Sequence, residues 1–273
     1  IIGAGLFSIT GGAAANNAGP AITISFIIAA LGCAFAGLCY AEFASMIPVA
    51  GSAYTYSYAT MGEFIAWIIG WDLVLEYAVG AATVSISWSR YLVKFLAYFN
   101  LHLAPEFTMS PYNSVTMADG TIVNGIMNLP AVFIVIMMSL VLIRGTKGSA
   151  RFNSVIVLLK ICVVLVFIFL GFQYINYDNY TPYIPTNTGQ FGHYGFSGVI
   201  RAAAVVFFAY IGFDAVSTAA QEAKNPKRDM PIGILVSLAI CTVLYLLFAH
   251  VMTGVANYTD FMGQDGIAPV AVA

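Results

Sequence analysis

The sequence predicts an all-α integral membrane protein. Three observations carry that prediction: too little charge for a water-facing surface, apolar runs of spanning length, and basic residues gathered into alternate loops. Lys+Arg 10 and Asp+Glu 12 make 8% of the 273 residues, against 60% hydrophobic, with a mean hydropathy of +0.88. A soluble chain carries about 25% charged residues. The shortage excludes a soluble enzyme and a disordered chain. A net charge of −2 without a basic tract excludes a nucleic-acid partner. The outer face must meet a lipid bilayer, and the length of the apolar runs favours helices over a barrel.

A spanning helix needs roughly 20 mostly apolar residues. Six stretches qualify: Ala21–Ile47, Phe64–Leu96, Ile122–Ile143, Asn153–Ile175, Gly198–Thr218 and Ile232–Val255. A seventh, Ile1 to Ala15, reads as the later part of a first span, so the chain is expected to be an internal piece of a longer protein. Between the spans lie Pro48–Gly62, Asn100–Gly120, Arg144–Arg151, Asn176–Phe196 and Ala223–Pro231. Arg144, Lys147 and Arg151 share one short loop, and Lys224, Lys227 and Arg228 share another. By the excess of Lys and Arg in cytoplasmic loops, the loops between spans four and five and between six and seven are expected to be cytoplasmic. Arg90, Lys94 and Arg201 fall near the opposite ends and are read as snorkelling side chains. The sequons at Asn179 and Asn257 land on the outer side.

In hydrocarbon, backbone that leaves helical pairing needs partners from protein, water or ligand. Two places invite such a break. In Ile1-Ile-Gly-Ala-Gly-Leu-Phe7, Gly3 and Gly5 flank Ala4. In Phe207-Phe-Ala-Tyr-Ile-Gly-Phe-Asp214, an acid follows Gly212. A glycine pair also suits close helix packing, and Asp214 also suits capping of a new half-helix. At 1.5 Å per residue, Lys160 lies roughly 13 Å along its span from Arg151, Asp214 roughly 15 Å from Lys224, and Glu76 roughly 20 Å from Glu63. Three ionisable groups at one depth point to a polar cavity. Lys160, in Leu158-Leu-Lys-Ile-Cys162, needs carbonyls or a carboxylate and could serve as a proton carrier or pair statically with Glu76 or Asp214.

Glu42, Glu63, Glu222 and Asp229 are expected to cap or pair at helix ends. Glu106, Asp119, Asp178, Asp260, Asp265, His102 and His193 are expected in solvated loops. His250 and the four lone cysteines have no metal or redox spacing, so no metal or cofactor is expected. Phe208 and Phe213 are candidate gates.

Ile2-Gly-Ala-Gly-Leu-Phe7 resembles the glycine motif of the amino acid–polyamine–organocation (APC) transporter superfamily. Tyr40–Tyr56, Gly70–Tyr77, Phe208–Thr218 and Glu222–Pro231 resemble its cationic amino acid transporter branch. The resemblance implies an APC-type five-plus-five inverted-repeat fold, truncated here, with helices 1 and 6 unwound at mid-membrane. Residues 1–175 would form the first repeat, with helix 1 incomplete, and 176–273 the start of the second. It implies that the N–H groups of Ala4 and Gly5, beside Gly3, take a substrate carboxylate. Carbonyls of Ile1, Phe208, Ala209 and Ile211 would take its ammonium. Phe213 would close over the substrate beside Gly212, and Asp214 and Val216 would face its side chain. Lys160 would stand where related carriers hold a sodium ion, with Glu76 near it, coupling transport to protons.

The expected function is therefore secondary active transport of a cationic or small neutral amino acid by alternating access, with the cell (plasma) membrane as its location and no enzymatic activity. The piece alone is not expected to transport. A membrane amino acid sensor or a channel on the same scaffold is the competing reading. An enzyme is disfavoured, because no His-Glu-x-x-His, Ser/His/Asp or cysteine–histidine set is present.

Overall fold

The computed structural model describes residues 1–117, 120–143 and 146–262; of 146–151, 219 and 222 only the backbone is described. Arg144, Asp119 and Asp265 lie outside the described residues, as do the side chains of Lys147, Arg151 and Glu222. Among the described residues, five helical stretches are long and apolar enough to cross a membrane: Gly5–Met46, Glu63–Tyr98, Phe152–Tyr174, Gly195–Thr218 and Pro226–Val255. The chain divides into two compact units, Ile1–Val74 with Leu159–Ala273, and Leu75–Leu158.

In the first unit a helical arm runs from Gly5 to Ala18 as π-helical turns Gly5–Ile9 and Ala14–Ala18 around a short α1 (Thr10–Ala13). It is followed by α2 (Ile22–Met46), α3 (Ser52–Met61) and the start of α4 (Glu63–Tyr98). The later part of α6 (Thr146–Gly171), α7 (Gly195–Val206) and α8 (Pro226–Val255) complete it.

Contacts fix the directions. Gly5 abuts Ala209, while Gly198 abuts the Asn17 carbonyl, so the arm runs antiparallel to α7 and the turn after it. The Ser25 hydroxyl donates to the Val199 carbonyl (2.9 Å) and Tyr40 meets Phe213, so α2 runs parallel to that same segment. The apolar stretch Gly5–Met46 is therefore two antiparallel helices. The chain reverses at Gly19-Pro20, where Gly19 takes a left-handed φ of 58° and a side chain would strike Pro185. Phe26 pairs with Tyr245, and Gly37 with Ile234 and Leu238, which sets α8 antiparallel to α2.

Small residues make this packing possible. Ala13, Ala14, Ala15 and Ala18 on the arm, and Ala21 in the turn after it, are buried and let neighbouring backbones approach. The bulk between α2, α7 and α8 comes from Phe26, Tyr210, Tyr245 and Phe248, each at most 2% exposed.

The second unit holds the rest of α4, a 3-10 turn Pro105–Phe107, a hairpin of β1 (Ser114–Thr116) and β2 (Ile122–Asn124), α5 (Leu129–Ile143) and the start of α6. The span expected over Ile122–Ile143 is shorter. Ile122–Asn124 pairs across the hairpin, and Asn128 Oδ1 accepts the Ala131 N–H (3.1 Å) and the Ser89 hydroxyl (2.7 Å), starting the helix only at Leu129. The fifteen residues of α5 cover about 22 Å. The segment Pro48–Gly62, read as a plain loop, folds into α3.

Candidate functional site

The second candidate break leaves regular helix, and residues 1–5 lie against it. Residues 1–3 are non-helical, and the first helical hydrogen bonds run from Leu6 and Phe7 N–H to the Gly3 carbonyl (3.1 and 3.4 Å). The N–H groups of Ala4 and Gly5 stand beside Gly3 in the first described turn of the arm.

At the other break, α7 tightens after Val206 into a 3-10 turn, Phe207–Tyr210. Ile211 is extended (ψ 138°), and Gly212 takes a φ of 104°, open only to glycine. A second 3-10 segment then runs Asp214–Glu222. A Cβ on Gly5 would collide with the Ala209 backbone, and one on Gly212 would stand 3.7 Å from the Ile1 nitrogen. Residues 1–5 and 209–212 thus face each other backbone to backbone.

Lys160 reaches this place: its Nζ donates to the Ile2 carbonyl at 3.2 Å. A hydrogen bond from an ammonium to a backbone carbonyl is charge-assisted and ties α6 to residues 1–5. Asp214 is 6% exposed. Its Oδ1 accepts the Gly212 N–H (3.2 Å) and its own carbonyl accepts the Ser217 hydroxyl (2.6 Å), so the carboxylate grips the turn behind it. Asp214 heads the new helical segment, but the N–H its carboxylate accepts is that of Gly212, ahead of the segment and not in its first turn.

Among the other expected residues, the Ala209 carbonyl accepts the Tyr245 hydroxyl (2.9 Å) and the Phe208 carbonyl the Ile211 N–H (3.3 Å); a carbonyl retains a second lone pair for a guest. Phe213 is buried edge-on against Tyr40, with ring centroids 5.6 Å apart, while Phe208 is half-buried. Val216 is half-buried, near Gly233 of α8. Glu76 is half-buried on α4 within the second unit. Among the described residues no group of three His, Cys, Asp or Glu could hold a metal.

Sequence reasoning missed Tyr245. Its signal was present: a tyrosine deep in an apolar helix needs a partner for its hydroxyl. Here that partner is the backbone of the break itself.

Several helices long and apolar enough to cross a membrane define the class, a multi-pass membrane protein. The chain belongs to the amino acid permease family, whose pattern it matches over residues 1–273. It is similar to the methylthioribose transporter of Bacillus subtilis (strain 168), 46% identical over 99% of this chain and 58% of the relative. It is also similar to the branched-chain amino acid permease BcaP of the same organism, 48% identical over 97% of this chain and 54% of the relative. Cationic amino acid transporter 9, chloroplastic, of Arabidopsis thaliana is 38% identical over 100% of this chain and 45% of the relative. The chain spans about half the length of the curated relatives it matches. These relatives are membrane transporters, not enzymes.

Proposed function

We propose that this chain forms the substrate-holding part of a secondary active transporter for amino acids, working by alternating access. The observation that carries the reading is the apposition of residues 1–5 and 209–212, two interrupted helices sharing one place. A zwitterion away from bulk water needs donors for its carboxylate and acceptors for its ammonium. First-turn N–H groups at Ala4 and Gly5, beside Gly3, provide the former, with the helix dipole behind them. Carbonyls of Ile1, Phe208, Ala209 and Ile211 provide the latter. Phe213 covers the guest, next to the flexible Gly212, and Asp214 and Val216 border its side chain.

The antiparallel pairing of the arm with α7, and of α2 with α8, supports an inverted repeat of residues 1–175 and 176–273, with both breaks at mid-membrane. Lys160 couples transport to protons: deprotonation or displacement from the Ile2 carbonyl loosens the first break, with Glu76 as second proton carrier. The protein belongs in the plasma membrane, with the loops before α6 and before α8 cytoplasmic.

A neutral amino acid is the favoured substrate, because the Asp214 carboxylate is engaged by the Gly212 N–H. The 46–48% identical relatives, one named for methylthioribose and one for branched-chain amino acids, support a neutral guest. The test is counterflow of labelled leucine by the full-length protein in liposomes, against a panel of amino acids and methylthioribose. Saturable exchange dependent on pH is expected, with Lys160→Ala abolishing the pH dependence. Binding without exchange would replace the reading with a sensor. An intact proton response in Lys160→Ala would remove the coupling role.

A further inference from the structure

The start of α3 is strained: Gly51 has a φ of 139°, and Ser52, a non-glycine residue, sits at 52° and is 1% exposed. One turn on, Tyr56 stacks flat on Phe43 of α2 (5.2 Å, 14°) and meets Tyr40 edge-on (6.0 Å). Tyr40 in turn meets Phe213 edge-on. A continuous aromatic chain therefore leads from α3, across α2, to the residue that opens the segment Asp214–Glu222. That segment is a nine-residue 3-10 helix, where such runs rarely exceed three or four residues and often mark hinges.

The polar groups at this junction are poorly satisfied. The Ser52 and Tyr56 hydroxyls are buried without a partner among the described residues. Ser217 lies beside Tyr56 without a well-formed hydrogen bond to it, and its own hydroxyl proton goes to the Asp214 carbonyl. Water would satisfy both orphan hydroxyls if α3 moved away. The docked arrangement is thus held by ring packing and opposed by unpaired polar groups, the combination expected of a contact made to release.

We infer that α3 is a latch. While docked, its Tyr56 holds the segment Asp214–Glu222 through Phe43, Tyr40 and Phe213. Undocking frees that segment to pivot at Gly212, which opens the candidate site towards the α3 end. The inference rests on the proposed substrate site.

The test uses the full-length protein in liposomes, with Cys33, Cys39, Cys162, Cys241 and any further cysteines replaced by Ser, and Ser217→Cys as reporter. Ser217 is 0% exposed, so a maleimide reaches the reporter only when the segment opens. Tyr56→Ala is expected to raise the labelling rate about tenfold, and Tyr56→Phe, which removes the orphan hydroxyl and keeps the rings, to lower it about threefold, as shifts in one closed–open equilibrium. If Tyr56→Ala does not fold, Phe43→Leu takes its place. Labelling unmoved by these variants while labelled leucine still binds overturns the latch and leaves the site standing. Labelling that follows Tyr56 in a protein that binds no leucine keeps the latch and overturns the site. Faster labelling in Tyr56→Phe also overturns it, because the hydroxyl would then be what holds α3 down.

Discussion

The two ends of the first unit are tied by different chemistry. At one end, residues 172–194 form a strap bound by directional hydrogen bonds. The Tyr180 hydroxyl donates to the His250 carbonyl (2.7 Å), and Asn176 N–H and Asn179 Nδ2 both donate to the Gly254 carbonyl (2.9 and 2.8 Å). Tyr194 donates through its N–H to Asn17 and through its hydroxyl to Ala15 (2.8 and 2.5 Å), Asn17 Nδ2 donates to Gly192 (2.7 Å), and Thr23 bonds Tyr183. At the other end α3 is held by rings, with two hydroxyls unpaired. Hydrogen bonds to backbone carbonyls fix one geometry, whereas aromatic faces tolerate sliding over several ångströms. The strap end is built to stay closed and the α3 end to yield.

The largest effect should come from prising the strap off. A Cβ on Gly254 would collide with the Tyr180 hydroxyl, and strap and helix cannot both keep their places. Gly254→Val should cost about 1–3 kcal/mol from overpacking, with the carbonyl bonds strained in addition. A fall in melting temperature of the detergent-solubilised protein checks it. An unchanged melting temperature would mean that the strap contributes no stability at this end.

Tyr180→Phe makes a gentler cut. The flat stack of Tyr180 on His250 (4.9 Å, 7°) survives, and the hydroxyl's contacts with the His250 carbonyl (2.7 Å) and ring Nε2 (3.3 Å) are lost. A cost of about 0.5–1.5 kcal/mol follows, larger if the His250 carbonyl is left dry. Burial pushes the Tyr180 phenol up to about 12. Its folded pKa lies above its unfolded value of about 10, so its contribution is complete below pH 10 and is lost only as pH rises from there towards 12. The stability difference between wild type and Tyr180→Phe should thus stay flat between pH 6 and 9, as pH-resolved melting curves would test.

The contrast between the ends was only half visible in the sequence. Composition and apolar length gave the spanning helices, because lipid imposes that requirement on every one of them. Gly212 beside Asp214 pointed to the second break, since a left-handed glycine and a buried acid are both local features. The strap was read as solvated loop because its bonds link residues far apart in sequence, such as Tyr194 with Ala15. The α3 helix was hidden by its polar, tyrosine-rich composition, which resembles a loop until Phe43 and Tyr40 supply a packing face. The late start of α5 escaped because Ile122–Asn124 is apolar enough to pass for helix, and only its pairing with Ser114–Thr116 makes it a strand. At the site, Gly5 was legible as a close-approach residue, but Ala209 as its partner and Tyr245 as the donor holding it depend on tertiary pairing.

The smallest effect sharpens the comparison most. Tyr56→Phe deletes a hydroxyl as Tyr180→Phe does, from a residue of the same type at the opposite end. No hydrogen bond is lost, because the Tyr56 hydroxyl has no partner among the described residues. Removing an unpaired buried hydroxyl relieves its desolvation cost, and keeping the ring preserves the stack on Phe43. The melting temperature should therefore stay constant or rise, by up to about 1 kcal/mol in stability terms. The decisive quantity is the sign relative to Tyr180→Phe measured in the same preparation. Equal losses from both substitutions would mean that the two ends are fastened alike, and the division between a fixed end and a yielding end would fall.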